Sequence, residues 1–198
     1  MASSFSDRGS TVRAVSNVKG VLFVDYVRMI RGRKDVDWRR YLHENALAWV
    51  NQPIDPVGWY PMAVFEVLGN AILDVFGGEL DLARLWGAQS VELLIANNPL
   101  LWAPGDPVET FNRVRVLRST YFDFEALQFP MLLDDEVLIV ISYGMGARAE
   151  EAAAHQTLGF FQTLLEKAGA TEIVATFLEQ SWSGAPRTAL SLRWTPPG

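Results

Sequence analysis

The hydrophobic periodicity of the chain changes once, near residue 120, and this change limits the folds that the sequence can adopt. Up to that point apolar residues recur at spacings of three and four, as in Val64, Leu68, Ile72 and Val75, which is typical of helices docked on a core. Beyond it, EVLIVISYG predicts a buried strand, AEEAAAHQTLGFFQTLLEKAG predicts a long helix, and TEIVATFLEQSW with RTALSLRW predicts a hairpin. This order predicts an α+β domain with about four or five N-terminal helices and an antiparallel sheet of about four strands, into which one long helix is inserted.

Capping and turn residues predict where several elements begin and end. Asp37 is expected to cap a helix that runs through Ala46. Pro61 suits the first turn of a helix that Gly77 and Gly78 end, and a further helix is expected from Glu79 to Asn97. The predicted inward side of this last helix consists of Leu82, Leu85, Trp86 and Leu93.

The stretches around the change of period are less uniform. ETFNRVRVLRS fits both a strand and a short helix, and the helix is favoured, while TYFDFEAL alternates and is expected to be the first strand. Residues 1–16 are small and polar and are expected to form a disordered N-terminal tail. A single domain is expected over residues 17–195.

The composition excludes several classes of protein and site. The 198 residues contain no cysteine, which excludes disulfides, zinc–thiolate sites and thiol catalysis, and only two histidines, which leaves little for a metal site. The net charge of −6 argues against a nucleic-acid-binding protein. The N-terminus lacks the apolar segment of a secretory signal, and no run of apolar residues is long enough to span a membrane. A cytoplasmic protein is therefore expected.

Three stretches follow one another over most of the chain: VKGVLFVDYVRMI, then WYPMAVFEVLGNAILDVFG with ELDLARLWGAQSVELL, then AHQTLGFFQTLLEKAGATEIVATFLEQ. In this order they resemble the superfamily that joins H-NOX haem domains, four-vinyl-reductase-type ligand-binding domains and Bet-three-type subunits of Golgi trafficking complexes. Within this superfamily, the VKG start and the L-x-x-A-G-A ending look most similar to an uncharacterised paralogous family expanded in myxobacteria. The resemblance implies the α+β fold and a bacterial sensory or adaptor role.

The residues that bind haem in H-NOX domains are missing from this sequence. Those domains ligate haem through a histidine on a middle helix, and the corresponding region from Phe111 to Tyr121 contains none. Their Y-x-S-x-R motif has no equivalent in EVLIVISYGMGAR. The resemblance therefore brings no cofactor and no catalytic residues, so the expectation is a protein without a cofactor that is not an enzyme. It would act through homodimerisation and an unknown protein partner, with or without a small apolar ligand; the alternative is a haem or tetrapyrrole gas sensor.

Several isolated features were candidates for chemistry. His155, near the start of the long helix, is a candidate axial ligand, with a half-exposed helical histidine as the alternative. His43 begins an incomplete H-E-x-x-H motif and is expected to cap or pack. Gly144-Met145-Gly146 lies between a strand and a helix, as a phosphate loop would, but position 149 is Ala where a dinucleotide loop has glycine, and a plain turn is favoured.

Two arginine clusters are candidate surfaces for an anionic partner on this acidic chain, with solvated helix ends as the alternative. They contain Arg28, Arg31, Arg33, Arg39 and Arg40 in the first cluster and Arg113, Arg115 and Arg118 in the second.

The aromatic residues of the helical half are candidates for a ligand pocket, a dimer face or plain core. The helices from Pro61 to Gly77 and from Glu79 to Asn97 are expected to form the apolar wall and to pack one face on a second subunit. Gly69 and Gly87 would let another helix approach closely. The residues singled out for this pocket or dimer face are Trp59, Tyr60, Phe65, Leu68 and Trp86.

Overall fold

The computed structural model describes residues 16–198, and within them six α-helices and two antiparallel sheets confirm the predicted α+β class. The predicted tail falls, apart from Ser16, outside the described residues. The helices are α1 (Gly20–Gly32), α2 (Glu44–Asn51), α3 (Met62–Val75), α4 (Leu80–Asn97), α5 (Pro107–Leu117) and α6 (Ala147–Lys167). The strands are β1 (Asn17–Lys19), β2 (Trp59–Pro61), β3 (Leu127–Leu132), β4 (Glu136–Ile141), β5 (Thr171–Glu179) and β6 (Thr188–Thr195).

The larger sheet has the strand order β3-β4-β6-β5, and every neighbouring pair is antiparallel. The long helix α6 connects β4 to β5, as the sequence predicted. Strand β6 lies in the middle of the sheet, and its alternate residues Leu190, Leu192 and Trp194 are buried. These side chains face the helices, since Trp194 stacks on Phe111 of α5 with 6.0 Å between ring centroids.

The opposite face of this sheet is partly exposed to solvent, as is common for antiparallel sheets. On β5, Val174 and Leu178 are exposed, while Phe177 on the other face packs beside α6. An ion pair of 3.1 Å joins Arg193 to Glu136 across the β4–β6 pair. The helices therefore cover one face of the sheet, and the core lies between that face and the helical layer.

Helices α4 and α6 pack unusually closely because each presents a glycine to the backbone of the other. A Cβ atom built on Gly87 would lie 2.7 Å from the carbonyl carbon of Gln156, and one built on Gly159 would lie 2.8 Å from that of Arg84. Real side chains do not approach backbone so closely. Gly87 therefore lets another helix approach closely, as expected, and that helix is α6 of the same chain. The space beside Gly69 is likewise filled by the ring of Tyr26, which lies 3.0 Å from such a Cβ.

Several predicted boundaries are wrong, each for a local reason. Asp37 caps only a short 3-10 turn, Trp38–Arg40, and α2 begins after it with His43 as its cap. The Nδ1 atom of His43 accepts a hydrogen bond of 3.2 Å from the amide of Ala46, which confirms the capping role. The first strand of the sheet is β3, since its pairing with β4 begins at Leu127, beyond most of TYFDFEAL.

The inward side of α4 also differs from the prediction. Leu82 and Leu85 are 37% and 52% exposed, whereas Val91 and Leu94 are buried. The close contact at Gly87 sets this orientation, because the glycine side of the helix must face α6. The prediction of a helix for ETFNRVRVLRS is confirmed by α5.

Over residues 16–198, no helix is both long and apolar enough to cross a membrane. The same part of the chain holds no cluster of three or more histidine and acidic side chains suited to a metal ion.

Candidate ligand-binding site

Two apolar cavities lie side by side between the helical layer and α6. The first, the α3–α4 cavity, has a volume of about 170 Å³ and is bounded by α1, α3, α4 and α6. The second, the α1–α5 cavity, has a volume of about 120 Å³ and reaches from α1 and α4 to α5 and the start of β3. Both are lined by one set of shared residues, the dividing wall, which consists of Tyr26, Phe65, Met145, Ala153 and Gln156.

Tyr26 is the central side chain of the dividing wall. Its ring stacks on Phe65 with 4.1 Å between centroids and lies 4.5 Å from the ring of Trp86. Its hydroxyl donates a hydrogen bond of 2.8 Å to Oε1 of Gln156 on α6. Burial raises the pKa of Tyr26 well above its usual value, and the nearby Tyr143 and Asp25 raise it further, so the phenol stays neutral. The wall is thus a fixed, uncharged partition between the two cavities.

The face of α3 toward the α3–α4 cavity carries both polar and apolar residues. Glu66, Gly69, Asn70 and Leu73 follow the helical spacing and all line this cavity. The Oδ1 atom of Asn70 is buried and, within the described part of the chain, has no hydrogen-bond partner. A buried carbonyl oxygen without a partner costs free energy, so Asn70 is the polar group of this site that is left unsatisfied.

The loop after β4 holds Met145 in the dividing wall through two carboxylates. The buried Glu150 accepts hydrogen bonds from the amides of Tyr143, at 3.0 Å, and Met145, at 3.2 Å. Glu66 of α3 accepts one of 2.8 Å from the amide of Gly146. The phosphate-loop interpretation is therefore wrong, because the amides that would bind a phosphate are already paired with the protein's own carboxylates.

The aromatic residues predicted to form one pocket or dimer face are only partly brought together. Phe65 and Trp86 line the cavities. Leu68 is fully buried in the core, and the ring of Tyr60 stacks on Phe23 at 4.7 Å. Trp59 is 43% exposed on β2, and the ammonium group of Lys19 lies over its ring. The proposed cluster therefore separates into two cavity-lining residues, two residues packed in the core and one surface residue.

His155 lies on α6 but lines neither cavity. It is half-buried and packs beside Phe177 and Trp182, with ring centroids 5.2 and 6.3 Å away. This position places the imidazole between α6 and β5, on the side of the helix away from the dividing wall. Burial lowers the pKa of His155, and Arg84 lowers it further, although Glu151 and Asp81 partly oppose the shift.

This position predicts a pH dependence of stability. A histidine whose folded pKa is depressed binds fewer protons than the unfolded chain does, so the free energy of unfolding falls as pH drops from 6.5 toward the folded pKa. We expect His155→Leu to remove this part of the pH dependence, and urea unfolding of both proteins between pH 5 and 7 measures the difference. Equal slopes for the two proteins in that window would contradict the assignment.

In the first arginine cluster, three of the five arginines have partners within the chain. Arg31 donates hydrogen bonds of 2.7 Å to the carbonyls of Val50 and Gln52, and so binds the end of α2. Arg33 pairs with Asp35 at 2.8 Å. In the same cluster Arg40 pairs with Asp37 at 3.6 Å, and Arg28 and Arg39 are exposed.

In the second cluster Arg113 is bound to Glu109 at 2.9 Å and to the carbonyl of Trp102 at 2.8 Å. Arg115 is exposed, and Arg118 lines the α1–α5 cavity and donates to the carbonyl of Arg115. Acidic residues near the arginines in both clusters reduce the positive electrostatic potential there. That either cluster binds an anionic partner stays a prediction.

The sequence did not single out four residues of the dividing wall as site residues: Tyr26, Met145, Ala153 and Gln156. Tyr26 is inside an apolar helical run, where a tyrosine is indistinguishable from core by spacing. Gln156 lies next to His155, and only the direction of α6 decides which of the two faces the cavities. Met145 was noticed solely as the middle of the glycine pair.

The comparisons with known proteins place the fold. Among models of protein families and among curated proteins, nothing matches this sequence. Among solved structures, an Fe(II) unliganded H-NOX protein mutant from K. algicida is similar with a TM-score of 0.64 and 14% identity, over 89% of this chain and 96% of that one. An H-NOX protein from S. oneidensis in the Fe(II)NO state is similar with a TM-score of 0.65 and 9% identity, over 89% and 99%. The I5F mutant of the T. Tengcongensis H-NOX has a TM-score of 0.59 and 13% identity, over 90% and 98%. This chain therefore has the fold of H-NOX domains.

Proposed function

We propose that the protein is a non-enzymatic sensory or adaptor domain that binds a small apolar molecule and works without haem. The observation that carries this proposal is the pair of apolar cavities, of about 170 and 120 Å³, that meet at the dividing wall. An apolar cavity of about 150 Å³ in an engineered protein stays dry and binds benzene. The α3–α4 cavity is of that size, so it suits a molecule of about one aromatic ring.

The side chains that could ligate a haem iron support the proposal that the protein works without haem. No imidazole lines either cavity in the described residues, and the chain has no cysteine. The phenols of Tyr26 and Tyr143 are hydrogen-bonded to Gln156 and Thr157, and burial raises the pKa of both and of Tyr121, so none of the three offers the phenolate that ligates iron. Met145 offers a thioether, but in cytochromes a methionine ligates haem together with a histidine. The residues present therefore do not fit a haem.

The alternative function, a haem or tetrapyrrole gas sensor, is supported by the fold alone. The S. oneidensis neighbour was solved in an Fe(II)NO state, and its iron centre is a property of that protein.

The adaptor part of the proposal concerns the outer side of α4. Leu82 and Leu85 are exposed there and also line the mouth of the α3–α4 cavity. We propose that a second copy of the chain covers these side chains, so that ligand binding and dimerisation act on one helix. In this proposal the protein is cytoplasmic, its further partner is a protein, and it binds no nucleic acid.

Native mass spectrometry on protein purified without added ligand tests the proposal, with an absorption spectrum of the same sample. We expect a dimer in which each subunit carries a small extra mass, and no Soret band. We expect Leu85→Lys to give the monomer, because the new ammonium group would be buried without a partner in the proposed interface. A red protein with a Soret band would favour the haem sensor, and a monomer without extra mass would contradict both parts of the proposal.

A further inference from the structure

We propose that the α3–α4 cavity selects an uncharged single-ring aromatic molecule that carries one hydrogen-bond donor, and that Asn70 Oδ1 accepts this hydrogen bond. The inference rests on the proposed function and adds the chemical class of the ligand. It assigns a specificity-determining role to Asn70, which the sequence pattern did not distinguish.

The shape of the cavity favours a flat ring. Four aromatic side chains line it. Tyr26, Phe65 and Trp86 come from α1, α3 and α4, and Phe76 comes from the turn that follows α3. Aromatic rings prefer offset-stacked or edge-to-face contacts with one another, which a planar guest makes at little conformational cost. The volume of about 170 Å³ limits the guest to about one substituted ring.

The charges around the cavity favour an uncharged guest. Within residues 16–198, no lysine or arginine lines it, so a carboxylate or phosphate would be buried without a partner. Its two acidic residues do not create a cation site in the interior. Glu79 is exposed, and Glu66 already accepts the amide of Gly146.

Asn70 supplies the polar specificity. Of the other amides that line the cavity, Gln156 is bound to Tyr26, and Gln89 is exposed. The buried Oδ1 atom of Asn70 is left without a partner, and asparagine is a poor residue for the middle of a helix. Leucine at this position would remove both the unpartnered oxygen and the low helix propensity of asparagine. A bound O–H or N–H group would satisfy the oxygen, and sites built to accept a hydrogen bond discriminate strongly against analogues that lack it.

The test compares phenol with toluene, which has nearly the same shape but no donor, by NMR titration of the wild-type protein and of Asn70→Leu. The ratio of the toluene to the phenol dissociation constant is expected to fall about ten-fold in Asn70→Leu, because the acceptor is lost. The matched control is Asn112→Leu, on the exposed side of α5 outside both cavities, which should leave the ratio unchanged. Without ligand, Asn70→Leu is expected to raise the melting temperature by about 2–4 °C.

The possible outcomes separate the two proposals. If both probes bind and the ratio is the same in Asn70→Leu, the cavity is a ligand site but the role of Asn70 is refuted. If neither probe perturbs residues around the α3–α4 cavity, the proposed function fails there and the inference fails with it. A lower melting temperature for Asn70→Leu would show that the amide has a structural partner, and would also overturn the inference.

Discussion

Gly87→Ala is expected to lower the free energy of unfolding by more than about 3 kcal/mol, the upper end of the usual cost of overpacking a core. The new Cβ would meet the backbone of Gln156, whose carbonyl carbon is 2.7 Å and whose Cα is 3.0 Å away. Backbone inside a helix does not rotate away as a side chain does, so α4 and α6 must separate. Gly159→Ala is expected to do the same from the other helix, because its Cβ would lie 3.1 Å from the Cα of Arg84.

The sign of the effect distinguishes tertiary packing from helix propensity. Alanine is better than glycine inside a helix by about 1 kcal/mol, so propensity alone predicts that Gly87→Ala stabilises the protein. The matched control is Gly32→Ala, at the end of α1, where nothing lies within 4 Å of the new atom and a small gain is expected. Urea unfolding measures all three variants. A stable Gly87→Ala protein would contradict the close α4–α6 contact.

Tyr26→Ala is expected to cost about 3–5 kcal/mol, as truncation of large buried aromatic side chains does. The change removes the ring that stacks on Phe65 at 4.1 Å and lies 4.5 Å from Trp86, and it joins the two cavities into one. Tyr26→Phe should cost only about 1 kcal/mol, because it removes the hydrogen bond to Gln156 and keeps the ring.

The same variant has an expected effect on binding. With the dividing wall opened, a two-ring probe such as naphthalene should bind about ten-fold more tightly than to the wild-type protein, since more of its apolar surface is buried. Tyr41→Ala is the control, because Tyr41 is 43% exposed and lines neither cavity, and its cost should stay within about 1 kcal/mol. If naphthalene binds both proteins equally, Tyr26 does not separate the cavities in solution.

The sequence predicted the elements with strong periodicity or clear terminal residues. The long helix α6, its end at Gly169, and the β5–β6 hairpin follow from local signals, because a positive φ of 93° at Gly169 is a conformation that glycine adopts without strain. The strand over Leu127–Leu132 was missed because it contains Pro130 and an irregular register between Gln128 and Met131. The β1–β2 pair was missed because two three-residue strands are too short to show alternation.

The candidate site was predicted less well, because its residues come from four helices and a loop. Phe65 and Trp86 were identified from their aromatic character, but Asn70 and Gln156 have no local signal that separates them from solvated helical positions. The sequence also left open whether His155 or its neighbour faces the core.

Periodicity, glycine placement and the absence of cysteine determined the class of fold and excluded thiol and disulfide chemistry, because these features act within one segment or through composition alone. Tertiary structure decided the rest. The glycine contact between α4 and α6 fixes how each helix is rotated, and this rotation turns Gln156 toward Tyr26 and His155 toward Phe177. A difference of one residue along a helix changes direction by about 100°, so only the packing of whole helices could set which side chains meet at the cavities.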